Sequence, residues 1–355
     1  MKNIHFPAET DSGFAYLDEV YERIQDETSK QYFKDRVMYS LTGDYGFVSD
    51  MVKKTETGKE FLYLLKSFQT VYIYGCGKWG KQIADIFGDE CNISAFIDKN
   101  KTGGYAGIPI ISLEELEYTG GLVVVSPKME IPDIIENLTE VCGVERKNII
   151  FFRDYHRRSQ QSIYFDSNIL QPEHFDVGMI IDVGCYDGQD YFNGMKWENG
   201  CLAEKNYLAL EPDPNNYSVC VEKIGEKNNC RVINAGASDE ERTYKVAAQG
   251  MGTNFFEEGN TEIQTVILDK VVGEQRVSMI KMDVEGWECQ ALRGAKKIIT
   301  RDTPIIAVSL YHKREDIWRI PKLLLELNSQ YVFFIDHHTL GWSDTVLYAV
   351  DKEKC

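Results

Sequence analysis

From Val71 onward the chain alternates short apolar, β-branched or aromatic runs with amphipathic ones: VYIYG, KQIADIF, ISAFID, LVVVS, IPDIIENL and NIIFF. That alternation predicts a small parallel sheet with flanking helices. Ahead of it, Phe14, Leu17, Tyr21 and Ile24, then Phe33, Val37 and Leu41, recur at spacings of three and four, which predicts two amphipathic helices. A third runs through FLYLLKSF from about Thr57. The stretch from Arg153 to about Gly178 is polar and without period, and reads as a linker. A second alternation then begins at MIIDVG and continues through YLALEPD, CRVINAGA, TEIQTVILD, SMIKMDVEG, a helix ECQALRGAKKII, PIIAVSLYH and a helix IWRIPKLLLEL. It closes with YVFFIDHH and TVLYAV, a hairpin-like pair on either side of HTLGWSD. The expected architecture is therefore α/β: a helical segment over 1–66, a small Rossmann-like domain over 67–153, a linker over 154–178 and a larger doubly wound sheet over 179–355.

Composition narrows the function classes. The 355 residues suffice for two cores at roughly 150 residues per domain. No stretch approaches the ~20 apolar residues of a membrane span, and the first residues lack the apolar run of a signal peptide, so a cytoplasmic protein is expected. Lys and Arg total 39 against 56 Asp and Glu, a net charge of −17 that repels a phosphate backbone and argues against nucleic-acid substrates. The densest basic stretch, RDYHRR at 153–158, falls at the expected linker and reads as solvated. Nine cysteines without a CxxC pair fit free thiols in a reducing compartment. Nothing in the sequence speaks to oligomeric state.

The chemistry concentrates at IIDVGCYDGQD, where an apolar strand leads into Asp182, Gly184 and Gly188 in a DxGxxxG arrangement. Glycines there let the chain turn sharply and let a ligand approach the backbone. The carboxyl edge of a parallel sheet is where doubly wound folds bind nucleotides. The next strand ends at Glu211, a carboxylate placed to accept hydrogen bonds from two ribose hydroxyls. Order and spacing together point to a nucleoside site. The plainer reading makes Asp182 a turn cap, Asp213 and Asn215 helix caps, and Ser238 and Asp239 starters of a turn.

A second fingerprint stands upstream. VYIYGCGKWG places Gly75, Gly77 and Gly80 in a GxGxxG pattern between a strand and the helix KQIADIF, and Asp98 ends the following strand where a dinucleotide fold puts its ribose-binding acid. Gly75, Gly77, Gly80 and Asp98 are thus a second nucleotide-site expectation, though only about half of a dinucleotide fold precedes the linker. They carry a rival reading, an NAD-dependent oxidoreductase; a third makes the whole chain a non-catalytic sensor of a nucleotide or sugar nucleotide.

Between Met179 and Val350 the blocks IDVGCYDGQ, LALEPDPNNY, NAGASDE, TVILD, IKMDVEGWECQALRGA and IAVSLYHK resemble the FkbM-type methyltransferases, IKMDVEGWE followed by LRGA most specifically. The resemblance implies a class I methyltransferase fold, S-adenosylmethionine as donor, and a hydroxyl on a sugar, polysaccharide or related natural product as acceptor. It implies that Asp182, Gly184 and Gly188 frame the donor, that Glu211 holds its ribose, and that the turn Gly236, Ala237 and Ser238 lies beside its adenine.

The acceptor side is expected at the neighbouring strand ends, SMIKMDVEG and IAVSLYHK, which bring Asp283, Tyr311 and His312 toward the donor's methyl group. His312 is the expected general base, since an imidazole with a reference pKa of about 6.5 is largely neutral at pH 7. Asp283 orients that ring or the acceptor hydroxyl, or joins Glu285 in holding a divalent metal. A structural ion pair among Lys281, Asp283 and Glu285 is the plain alternative. His337 and His338 are further candidates. Acceptor choice is expected to lie in the loops 249–260 and 337–344.

Overall fold

A strand that is apolar on both faces needs helices above and below it, and the computed structural model of the chain meets that need twice, in a six-stranded and a seven-stranded sheet. The structure describes residues 13–127, 133–160, 163–248, 253–254 and 261–355. They fall into two compact units: Met1–Gly43, Ser162–Asp336 and Ser343–Cys355 form the first, Asp44–Gln161 and His337–Trp342 the second.

The second unit is built on β1 (Val71–Tyr74), β2 (Ile93–Ile97), β3 (Gly103–Tyr105), β4 (Ile108–Ile111), β5 (Leu122–Val125) and β6 (Ile149–Phe151), in the order β3-β4-β2-β1-β5-β6. Its pairings are parallel except for the β3–β4 ribbon at the edge. Phe61 sits at the centre of an aromatic cluster, edge-on to Phe87 at 5.2 Å and Phe152 at 5.8 Å.

The first unit carries β7 (Met179–Val183), β8 (Tyr207–Leu210) and β9 (Cys230–Ile233), then a small sheet of β10 (Gly236–Ala237), β11 (Thr243–Ala248), β12 (Thr253–Asn254) and β13 (Thr261–Val266). After these come β14 (Val277–Met282), β15 (Ile305–Ser309), β16 (Tyr331–His337) and β17 (Thr345–Asp351). The main sheet runs β16-β17-β15-β14-β7-β8-β9, with β17 antiparallel to β15 and the strands from β15 to β9 parallel. Strand order reverses between β7 and β14, which makes the carboxyl edge there the natural ligand crevice. This is the doubly wound class I sheet that the motif blocks implied. Among the described residues no helix is long and apolar enough to cross a membrane.

Several local expectations differ from the structure. Among the described residues four helices, not three, precede β1: the sequence reading passed over Gly46–Lys54, a short helix with Val48, Met51 and Val52 buried at spacings of three and four. Gly13–Glu22 and Glu27–Thr42 group with the first unit, and Gly46–Lys54 and Glu56–Lys66 with the second, so the segment 1–66 divides instead of standing alone. The last of these helices starts at Glu56, where the Thr55 hydroxyl accepts the Gly58 amide. The stretch read as aperiodic opens with a helix, Phe152–Gln160, whose buried positions Phe152, His156 and Ser159 are only partly apolar and so leave little hydrophobic signal. TEIQTVILD contributes β13 to the small sheet and not to the main one, and of the β13 residues Ile263 and Thr265 are buried. ECQALRGAKKII is two helices, Glu288–Gly294 and Lys296–Asp302, broken at Ala295.

Candidate active site

The residues expected around a nucleoside donor meet at the carboxyl ends of β7 and β8. Asp182 ends the apolar run of β7 and is fully buried. Gly184 follows with φ +77°, and a Cβ there would stand 2.0 Å from the Asp283 carbonyl oxygen, so only glycine lets the turn pass that close to the end of β14. Gly188 has φ +76° and begins the helix Gln189–Lys196. Glu211, one residue past β8, is 5% exposed. Its two oxygens accept the Tyr186 and Asp213 amides, each at 2.9 Å, so the carboxylate is clamped to the glycine turn while its remaining lone pairs stay available to hydroxyls. Burial outweighs those amide bonds and pushes the Glu211 carboxyl up to about 7. Asp213 is a helix cap, as its plain reading held, accepting the Asn215 and Asn216 amides.

Beneath the turn lies a buried charge network. Lys281 is the direct cross-strand neighbour of Asp182 in the parallel β14–β7 pair. Its Nζ lies 2.8 Å from Asp182, 3.3 Å from Asp190 and donates to the Gly184 carbonyl at 2.7 Å. Burial works against the Lys281 charge, but Asp182, Asp190 and Asp283 hold it protonated. The Tyr207 hydroxyl donates to the second Asp182 oxygen at 2.7 Å. Asp182 is therefore a brace under the glycine turn, and the structural ion pair weighed as the plain alternative for Lys281, with Asp283 and Glu285, forms instead with Asp182 and Asp190.

Gly236, Ala237 and Ser238 continue from β9 into the small sheet, with the Ser238 amide donating to Val266. Ala237 and Ser238 are buried. The LRGA glycine finds its reason here: a Cβ on Gly294 would stand 2.0 Å from the Ser238 carbonyl oxygen, so the helix Glu288–Gly294 lies directly against this turn.

On the β14 and β15 side, Asp283 accepts the Tyr164 hydroxyl at 2.8 Å and those of Ser309 and Tyr311, each at 3.2 Å. Burial alone would raise its carboxyl, but His312, Lys281 and the two phenols bring it below the usual carboxylate range. His312 Nδ1 is 2.7 Å from Glu288, and Nε2 is 3.3 Å from Asp283 and 3.5 Å from Glu285. Burial disfavours a charged ring, yet Glu288, Asp283 and Glu285 carry its pKa up to about 9. The neutral imidazole expected at pH 7 is thus not what these neighbours give. Glu285 adopts φ +52°, a left-handed conformation that a non-glycine residue keeps only where its surroundings enforce it.

Three contributors escaped the sequence reading. Glu288 stands inside the specific block but carries no sign of its inward direction; Ser309 looks like a strand residue; Tyr164 lies in the stretch read as linker. Tyr164 also places its ring 4.9 Å from the Lys281 ammonium, which connects the two halves of the site.

In the second unit, Asp98 accepts the Cys76 amide at 2.8 Å and the Asn100 amide at 3.0 Å. Gly75 has φ +93°, and a Cβ on Gly80 would meet the Gly75 carbonyl at 2.0 Å, so these two glycines serve the packing of turn on helix. At Gly77 a Cβ would meet nothing within 4 Å. His337 and His338 are buried, with His337 Nε2 2.8 Å from the Gly341 carbonyl. The expected acceptor loop 337–344 is accordingly not an open loop over its first part, where Leu340 and Trp342 pack into the core of the second unit. The other, 249–260, lies outside the described residues except for Thr253 and Asn254.

Residues 182–337 match the family model of the methyltransferase FkbM domain, a family of S-adenosylmethionine-dependent methyltransferases. No curated protein matches the chain. Among solved structures it is similar to a methyltransferase FkbM from Methylobacillus flagellatus, at 17% identity and TM-score 0.49 over 91% of this chain and 99% of that one. It is also similar to Aeropyrum pernix fibrillarin with natively bound S-adenosyl-L-methionine, at 11% identity and TM-score 0.34 over 53% and 73% of the two chains. A third is an S-adenosylmethionine-dependent methyltransferase from Aquifex aeolicus, at 10% identity and TM-score 0.33 over 56% and 96%.

Proposed function

We propose, from the match of residues 182–337 to the methyltransferase FkbM domain, that this chain transfers a methyl group from S-adenosylmethionine to a hydroxyl of a sugar, polysaccharide or related natural product. The observation that carries the reading is the buried Glu211 clamped to the Gly184–Gly188 turn at the switch point of the sheet. Asp182, Gly184, Gly188 and Glu211 form the donor side, with Ala237 and Ser238 toward the adenine. Asp283, Tyr311 and His312 form the acceptor side.

In the transfer the sulfonium S–CH3 bond breaks, its electron pair stays on sulfur to give S-adenosylhomocysteine, and the acceptor oxygen forms the new bond to carbon. The protein aligns that oxygen and receives its proton. With the His312 ring held charged by its neighbours, the proton acceptors on this side are the carboxylates of Asp283 and Glu285, and His312 stabilises them. Nine unpaired thiols support a reducing, cytoplasmic setting.

Incubation of the full chain with labelled S-adenosylmethionine and a panel of hydroxylated sugars tests the reading, with NADH as a competing ligand. Label in a sugar product supports it. Retention of NADH with no retention of the donor favours the oxidoreductase. The open Cβ position at Gly77 keeps a nucleotide-like ligand in the second unit as a separate proposal, which native mass spectrometry of wild type and Gly77→Val checks by the loss of any adduct.

A further inference from the structure

We propose that His312, Asp283 and Glu285 form a site for one divalent cation of the Mn2+ or Zn2+ class, with Glu288 fixing the imidazole. The inference deepens the methyl-transfer reading on its acceptor side and rests on it for the purpose of the site. The Nε2 atom of His312 makes no hydrogen bond among the described residues, although the side chain is only 7% exposed. That nitrogen faces one oxygen of Asp283 at 3.3 Å and one of Glu285 at 3.5 Å. Ligand atoms bound to a single cation at about 2.0–2.2 Å stand about 3.0–3.5 Å from one another, which is the spacing of Nε2 from each of the two carboxylates. Asp283 and His312 offer ligand atoms within 4.8 Å of each other and of one from Glu288, and Glu285 joins them through its 3.5 Å approach to Nε2.

Glu288 supplies the outer support. It is 1% exposed on its side chain and lies 2.7 Å from Nδ1. With the Nδ1 proton given to Glu288, a divalent cation would take the place of the Nε2 proton of the charged ring, between the two carboxylate oxygens that this proton now faces. Metal-binding histidines commonly give their other nitrogen to a carboxylate in this way. Asp283 is supported likewise, by the Tyr164, Ser309 and Tyr311 hydroxyls. One imidazole with two carboxylates favours a cation that takes mixed nitrogen and oxygen ligands over Ca2+, which prefers oxygen alone. A cation there would hold the acceptor oxygen and make its proton easier to lose.

The test uses the full chain, stripped with chelator and titrated separately with Mn2+ and with Zn2+, both read by calorimetry and the Mn2+ form also by electron paramagnetic resonance. The expected result is one Mn2+ per chain with nitrogen coupling from an imidazole. Asp283→Asn and His312→Gln should each weaken binding tenfold or more, and His312→Gln should remove the nitrogen coupling. Glu288→Gln should weaken binding about 10- to 100-fold and keep the coupling. Glu285→Gln alters an exposed side chain, so a loss of affinity there reports on ligation instead of folding. Absence of Mn2+ and Zn2+ binding to the stripped wild type, or binding indifferent to all four substitutions, overturns the site. Donor binding by the same stripped protein is measured in parallel: donor without cation sinks the cation site alone, and cation without donor sinks the methyl-transfer reading alone.

Discussion

The two glycine turns of this chain are built on one plan and differ in what lies beneath them. In each, a carboxylate at the end of the neighbouring strand accepts an amide from the turn and one from its own loop: Glu211 takes Tyr186 and Asp213, Asp98 takes Cys76 and Asn100. Two residues before the first glycine, however, the second unit has Ile73 in an apolar core, whereas the first has Asp182 in a buried network with Lys281, Asp190 and Tyr207. Buried charge is costly to fold, and where it persists it is tied to a task more often than to stability. The fingerprint is the same in both turns; the chemistry beneath it differs.

The sharpest way to break that comparison is to remove the cation of the network. Lys281→Met leaves Asp182 buried without its partner and should cost about 3–5 kcal/mol, read by denaturant unfolding. A loss below about 1 kcal/mol would mean the network is solvated and the contrast with Ile73 is empty.

Next in size is the pH response of Glu211. Its folded pKa is raised to about 7, so the neutral form contributes stability that is fully present below the unfolded value near 4.5 and is lost as pH rises through 7, on the order of 3 kcal/mol. Ribose hydroxyls donate to the ionised form, so donor affinity should rise over the same interval. Unfolding and donor binding compared between pH 5 and 8 in wild type and Glu211→Gln should show both trends in the first and neither in the second.

The smallest contrast concerns the glycines themselves. Gly184→Ala adds a Cβ against the Asp283 carbonyl at positive φ and should cost about 2 kcal/mol or more. Gly77→Ala, at φ −84° and facing open space, should change stability by less than about 0.5 kcal/mol. Equal losses at the two positions would erase the distinction drawn between the turns.

What the sequence revealed follows the range of its causes. The meeting of Asp182, Gly184, Gly188 and Glu211 at one sheet edge was legible because a strand, a turn and the next strand lie close along the chain and carry their signal in residue type. The Lys281 brace was visible as a charge but not as a partner of Asp182, since a parallel pairing between β14 and β7 decides who faces whom. Glu288 was read within its block, yet only the fold shows that it turns inward onto His312, and that change of neighbours alters the ring from an expected neutral base to a charged group. Tyr164 carried no signal, because its role depends on a polar, aperiodic segment reaching the end of β14. The divided N-terminal helices show the same limit: periodicity marks a helix, not the sheet it joins.

The central claim is that the turn at Gly184–Gly188, and not the one at Gly75–Gly80, holds the methyl donor. Calorimetric titration of S-adenosylmethionine into wild type, Glu211→Ala and Gly77→Val tests it most directly. Loss of charge-assisted hydrogen bonds worth roughly 1.5–3 kcal/mol should weaken binding about ten- to a hundredfold in Glu211→Ala. Gly77→Val should bind as wild type does. Unchanged affinity in Glu211→Ala, together with lost affinity in Gly77→Val, would contradict the account.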